Sequence, residues 1–254
     1  MARRAGMSQS KLSKLETGAL LPSPEDIRLI CRVLKVPIRA QEKLLDQLRL
    51  VRTEYSSWRV GHSHGYAARQ IDVAEREKKA RRLLEFQACA VPGLLQVPPY
   101  AHRVMALANV TGQTDFDDAV AERVRRQQIL YDPSREFVFV ITETALLSRF
   151  CEPEVMLQQV QFIRAFSKIP HIRIGLVPAS ARLPNIPQNG FAVYDLDVVV
   201  IETFGGMITI TDDRDIALYV NLFEQFSGAA LYGDATEDFL ESCMQQLRQW
   251  SGGD

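Results

Sequence analysis

The chain has 254 residues, of which 46% are hydrophobic and 24% charged, a balance typical of a globular protein with a substantial core. No apolar run approaches the roughly 18 residues of a membrane span, and the opening sequence MARRAG lacks the apolar segment of a secretion signal. We therefore expect a cytoplasmic protein with no membrane partner. The four cysteines follow no metal-ligand or disulfide spacing, so we expect no metal site.

The net charge of -1 conceals an asymmetry along the chain. Through Arg59 the sequence has 12 Lys and Arg against six Asp and Glu, and the remainder has 18 against 25, so the first quarter carries +6 and the rest -7. A basic head on an acidic body is typical of a protein that presents one end to nucleic acid. Small basic helical segments can also show this bias by accident.

The first 18 residues predict two helices joined by a tight turn at Gly6. Ser8 is a good N-cap for the second helix, which runs to about Thr17, and Gly18 suits the left-handed position that closes a helix. Leu12 faces inward. The outer face carries amide, hydroxyl and ammonium groups but no carboxylate, on Gln9, Ser10, Lys11, Ser13 and Lys14.

This segment resembles the turn and recognition helix of the Xre-like (Cro/phage-repressor) helix-turn-helix regulators. The positions that match the motif are Ala2, Gly6, Met7, Ser8, Leu12, Ser13, Leu15, Glu16 and Gly18. The resemblance implies that double-stranded DNA is a partner, with Gln9, Ser10 and Lys14 reaching base edges in the major groove. It places Ser8, Lys11 and Ser13 nearer the phosphates. The alternative is an ordinary solvated helix face.

Regulators of this family begin with further apolar-patterned helices before the matching segment, so the head is expected to be N-terminally incomplete. The resemblance also implies a homodimer, because two heads must meet two half-sites about one helical turn apart. Two functions stay open at this point. One is a DNA-binding transcriptional regulator, and the other is a protein-interaction or small-molecule-sensing module whose truncated head no longer binds DNA.

The sequence predicts an α+β protein with a small all-α head and a larger domain, in which a small sheet is flanked by helices. Residues 1–58 form the helix-turn-helix head. It continues with a helix that has Ser23 as its N-cap. The inward-facing apolar residues of this helix end at Leu34, and a longer helix follows over residues 38–58. Residues 59–66 form a linker, and residues 67–254 form the α+β regulatory or partner-binding domain.

Within the second domain the segment VPGLLQ, residues 91–96, resembles the signature of an uncharacterised, antitoxin-like domain that follows many Xre-like heads. The resemblance implies a small partner protein bound by this domain. Helices are predicted over residues 116–131, 153–168, 213–227 and 236–249. Strands are predicted at residues 81–88 and near residues 172–177, 190–196, 198–204 and 207–211, and residues 135–147 are predicted to form a strand that leads into a short helix with Glu143.

The sequence carries no nucleophile elbow, phosphate loop, dinucleotide fingerprint or zinc-protease motif, so we expect no catalytic residues, no cofactor and no enzyme activity. The best polar candidates are Glu143 and Glu202, each at the end of an apolar strand, with Arg123 and Arg126 as partners. Such a cluster either orients a small effector or forms a structural ion pair between helix and sheet.

Overall fold

A computed structural model describes residues 1–58, 65–110 and 112–251. The chain divides into two compact units, Met1–Glu54 and Tyr55–Asp254. This division falls a few residues before the predicted end of the head at residue 58. Residues 59–64 of the predicted linker lie outside the described residues, so the linker stays a prediction.

The first unit is helical up to the end of its last helix at Val51. It contains a 3-10 helix at Ala2–Ala5 and the helices α1 Gln9–Glu16, α2 Pro24–Leu34 and α3 Ile38–Val51. A capping box starts α2, because the Ser23 hydroxyl accepts from the Asp26 amide at 3.1 Å and the Asp26 carboxylate accepts from the Ser23 amide at 3.0 Å. Its small core consists of the buried side chains of Ala2, Ala5, Leu12, Cys31 and Leu48.

Two predictions for the head are wrong. Leu34 does not face inward but is 55% exposed, because α2 ends there and Lys35 turns the chain away in the left-handed conformation. The helix predicted over residues 38–58 ends at Val51, and Thr53–Ser57 forms strand β1. This segment, TEYSS, is rich in residues with low helix propensity, and the Trp58 amide that follows donates to the Gly205 carbonyl at 2.9 Å.

Among the described residues, the second unit continues from β1 with six strands and seven α-helices. The helices are α4 Gly65–Lys79, α5 Pro98–Leu107, α6 Phe116–Arg126, α7 Glu143–Leu147, α8 Pro153–Phe166, α9 Asp213–Gly228 and α10 Asp234–Ser251. The strands are β2 Arg82–Gln87, β3 Glu136–Thr142, β4 Ile172–Val177, β5 Phe191–Tyr194, β6 Val198–Glu202 and β7 Gly206–Ile210. Short 3-10 helices lie at Gly93–Leu95 and Gln127–Tyr131.

The strands form one mixed sheet in the order β1-β7-β6-β5-β2-β3-β4. The central strand β2 runs parallel to β3 and antiparallel to β5, and β3 runs parallel to β4. The strands β5, β6 and β7 follow one another as an antiparallel meander. The parallel half needs long crossovers, which the helices between β2, β3 and β4 supply.

Helices cover both faces of this sheet. On one face Phe137 and Phe139 of β3 belong to a core cluster that includes residues of α8 and α10. On the other face the cluster includes Phe86 of β2 and the α9 residues Phe223 and Phe226, and the rings of Phe86 and Phe226 stack at 4.2 Å. The predicted α+β class is therefore confirmed, with a helical head and a sheet flanked by helices.

Candidate nucleic-acid interface and arginine cluster

The turn before α1 is closed by backbone contacts. Gly6 adopts a φ of 67°, a left-handed conformation that favours glycine, and the Met7 amide donates to the Ala2 carbonyl at 3.1 Å. The Ser8 hydroxyl accepts from the Lys11 amide at 3.1 Å and so caps α1, as the sequence predicts. Gly18, with a φ of 71°, follows the end of α1. These features fix the direction of an eight-residue helix.

One face of α1 is polar and exposed, and Leu12 on the opposite face is 3% exposed. We call this face the recognition surface. It comprises the exposed residues Ser8, Gln9, Ser10, Ser13 and Lys14. Within the described residues the side chains of Gln9, Ser10 and Lys14 form no hydrogen bond or ion pair, so their donors and acceptors are available to a partner.

Lys11 differs from its neighbours on α1. Its ammonium group lies 2.7 Å from the carboxylate of Asp26 on α2, and the Asp26 side chain is 7% exposed. Burial acts to raise the pKa of Asp26, but hydrogen bonds from Lys11 and Ser23 outweigh it, and the pKa is lowered. Lys11 thus joins α1 to α2, and the negative charge of Asp26 offsets its attraction for a distant phosphate.

A second polar group lies in the other unit, between α4 and α6. We call it the arginine cluster and define it as Gln70, Glu77, Gln96, Arg123 and Arg126. Arg126 binds the Glu77 carboxylate in a bidentate contact, with Nε 2.8 Å from Oε2, and also donates to the Gln70 amide oxygen. Arg123 donates to Gln70 at 3.2 Å and to the Gln96 amide oxygen. The two predicted arginines therefore do lie together.

The pKa values in the cluster follow from burial and from these contacts. The side chains of Arg126 and Glu77 are 6% and 3% exposed. Desolvation raises the pKa of Glu77, although the charge of Arg126 acts to lower it. For Arg126 desolvation acts to lower the pKa, but the Glu77 carboxylate outweighs it, and the pKa is raised. Desolvation and then the neighbouring charge of Arg126 lower the pKa of Arg123 to about 10. Both guanidinium groups therefore stay protonated at neutral pH.

The two predicted carboxylates lie in different places. Glu202 pairs with Arg69 of α4 at 2.8 Å, and its pKa is lowered because Arg69 outweighs desolvation, with smaller effects of Arg123 and Arg126. Glu143 accepts a hydrogen bond from the Ala179 amide at 2.6 Å. Among the described residues Glu143 forms no ion pair with an arginine, so the structure brings Glu202 near the cluster and leaves Glu143 outside it.

The VPGLLQ segment is a buried scaffold rather than an exposed surface. The Gln96 amide donates to the Val91 carbonyl at 2.7 Å, and the Val91 amide donates to the Tyr100 hydroxyl at 3.1 Å. Gln159 of α8 accepts from the Val97 amide at 2.9 Å. Because Gln96 also accepts from Arg123, this segment connects the arginine cluster to the helical layer.

Sequence reasoning missed Gln70, Glu77 and Gln96 as members of the cluster. Gln70 and Glu77 lie two helical turns apart on α4, which places them on one face of the helix. This spacing was the feature of the sequence that could have grouped them. Glu85 was also missed, although it interrupts the apolar run of β2. It is 9% exposed, and desolvation raises its pKa to about 7.

A short helix, a glycine turn and a capped second helix with an exposed polar face define a helix-turn-helix protein, here joined to an α+β unit. Residues 1–45 match the family described as Helix-turn-helix domain. The chain belongs to the family described as Domain of unknown function (DUF5753), which matches residues 70–242, more than half of the sequence. No curated protein matches the sequence.

Similarity to solved structures is weak. One is the structure of TrmBL2, "an archaeal chromatin protein" that "shows a novel mode of DNA binding", with 14% identity and a TM-score of 0.37 over 80% of this chain and 65% of that chain. Another is a phospholipase D family member, Nuc from Salmonella typhimurium, with 9% identity and a TM-score of 0.37 over 65% of this chain and 90% of that chain. Similarity at this level supports no functional argument.

Proposed function

We propose that this protein is a DNA-binding transcriptional regulator of the Xre-like type, which places α1 in the major groove of double-stranded DNA. The observation that carries the proposal is the recognition surface, a polar and exposed helix face on a tightly capped helix-turn-helix, in which the side chains of Gln9, Ser10 and Lys14 have no hydrogen-bond or ion-pair partner among the described residues. The family match over residues 1–45 supports the same class. The basic balance of the head favours a polyanionic partner.

The chemistry of the recognition surface assigns the roles. Gln9 can pair with adenine through two hydrogen bonds, Lys14 can reach guanine, and Ser10 can bond either partner. Ser8 and Ser13 lie where phosphate contacts would set the register without reading sequence. Lys11 also belongs to the phosphate-facing group, but its contact with Asp26 makes its contribution smaller than that of Lys14.

The second unit, in this proposal, decides when the head binds. It senses a signal or binds a small partner protein, as the resemblance to the antitoxin-like domain implies, and it takes no catalytic step. A homodimer would place two recognition surfaces on two half-sites. The arginine cluster is a candidate for an effector contact, and its bidentate buried pair between α4 and α6 is equally suited to holding the helices together.

The test begins with duplexes selected by the wild-type protein from a random pool. Affinity for a selected duplex is then measured by fluorescence anisotropy at several salt concentrations. We expect log K to fall linearly with log salt, with a slope near -0.9 for each phosphate neutralised. Lys14→Gln should reduce affinity by ~1–3 kcal/mol and relax one base position. Lys79→Gln, an exposed lysine of α4, is the matched control and should change neither quantity.

Two outcomes would contradict the proposal. One is a pool that yields no enriched sequence together with no salt-dependent duplex binding. The other is a Lys14→Gln protein with the affinity and base preference of the control. The first outcome would favour the alternative, a protein-interaction or small-molecule-sensing module whose head does not bind DNA.

A further inference from the structure

A cavity of about 380 Å³ lies within the second unit, between one face of α4 and the strands β1 and β7. This volume is in the range of small-molecule sites in proteins. Its walls include Trp58, Arg69, Asp72, Arg76 and Met207. This face of α4 is next to, but separate from, the face that carries Gln70 and Glu77 of the arginine cluster.

Two guanidinium groups border the cavity from the same face of α4. Arg69 lies over the Trp58 ring at 3.6 Å and pairs with Glu202, yet its buried Nε has no hydrogen-bond acceptor within the described residues. The Arg76 guanidinium lies 3.8 Å from the sulfur of Met207 and over the Tyr194 ring, at 6.0 Å from the ring centroid. No carboxylate of the described residues lies within ion-pair distance of Arg76.

A half-buried guanidinium whose contacts are a thioether and an aromatic ring has lost hydration without gaining a carboxylate within ion-pair distance. Its planar fork matches the oxygens of a carboxylate or a phosphate. Trp58, Met207 and Val73 supply apolar surface in the same cavity. Asp72 is exposed and Glu202 is already held by Arg69, so neither neutralises Arg76 directly.

We propose that this cavity binds a small organic anion, with its carboxylate or phosphate held by Arg76 and its apolar body against Trp58 and Met207. The inference rests on the proposed sensing role of the second unit and names its site and ligand class. It involves the second unit alone and requires no DNA.

The experiment uses the full chain with Trp250→Phe, which leaves Trp58 as the sole tryptophan because the sequence has two. Its fluorescence is titrated with benzoate, phenyl phosphate and the neutral isostere benzamide. We expect a saturable response to at least one anion and at least tenfold weaker binding of benzamide. The tighter of the two anions identifies the head group as carboxylate or phosphate.

Variants in the same background locate the site. Arg76→Gln should weaken binding of the anion at least tenfold, and Arg76→Lys, which keeps the charge but not the fork, should weaken it less. Arg173→Gln, an exposed arginine of β4 that lies against Tyr232, is the control and should bind as the parent does. Circular dichroism establishes that each variant is folded. A misfolded Arg76→Gln protein leaves the decision to Arg76→Lys and to the comparison with benzamide.

The proposal is overturned if neither anion gives a saturable response up to 20 mM, if benzamide binds equally well, or if the folded Arg76 variants match Arg173→Gln. None of these results affects duplex binding, which the salt-dependence assay decides. A protein that binds benzoate but no duplex would support the anion site and contradict the proposed DNA-binding function.

Discussion

Glu85 provides the sharpest test of the buried electrostatics. It lies on the central strand β2, the residue is 9% exposed, and its carboxylate accepts a hydrogen bond from the Gln87 side-chain amide at 2.9 Å. Desolvation is the largest cause that raises its pKa from 4.5 to about 7, while Gln87 opposes the rise and the negative charge of Glu77 adds to it. A carboxyl group of this kind is neutral in the folded protein under mildly acidic conditions.

The sign of the pH dependence follows from the raised pKa. The contribution of Glu85 to stability is fully present below its unfolded pKa of 4.5 and is lost as the pH rises toward and through about 7. One pKa unit corresponds to about 1.4 kcal/mol, so the loss between pH 5 and pH 8 is about 2 to 3 kcal/mol. Glu85→Gln removes this titration, so its stability relative to wild type should rise by about that amount over the same interval.

The assay is urea unfolding followed by tryptophan fluorescence, which reports on the second unit because Trp58 and Trp250 both belong to it. The informative quantity is the difference between variant and wild type at each pH, which cancels the titration of other groups. Glu224→Gln, at an exposed position on α9, is the matched control for the removal of a carboxylate from the second unit. A Glu85→Gln difference that is flat from pH 5 to pH 8 would refute the reasoning.

Three further predictions concern the cluster and the head. Arg126→Gln should destabilise the second unit by about 3 to 5 kcal/mol, because Glu77 is left buried and unpaired. Adding Glu77→Gln should recover part of this loss of stability. If the two substitutions give additive losses in urea unfolding, the prediction is wrong. Asp26→Asn should destabilise the head above pH 4, where the lowered pKa keeps the carboxylate charged beside Lys11, and the difference in amide exchange should vanish as the pH falls through the folded pKa. Gly18→Ala, at a φ of 71°, should cost about 1 kcal/mol, seen as faster amide exchange in α1; unchanged protection would argue against the left-handed cap.

The sequence by itself determined the elements whose signals are local. Ser8, Gly6 and Gly18 define the turn and the ends of α1, because capping and left-handed backbone depend on the residue at that position. The capping box at Ser23 is equally local. The strands of the second unit were also predicted, since runs of apolar and β-branched residues distinguish them.

The contacts between distant segments were decided only by the tertiary structure. The sequence singled out Glu143 and Glu202 and offered Arg123 and Arg126 as their partners, while the fold pairs Arg126 with Glu77, which lies 49 positions earlier in the chain. The tertiary structure also decides that TEYSS, residues 53–57, pairs with a strand and does not continue α3. Local propensity is weak in such a segment, and the open edge of β7 determines its conformation. Burial and partner choice depend on packing, which residue spacing alone does not specify.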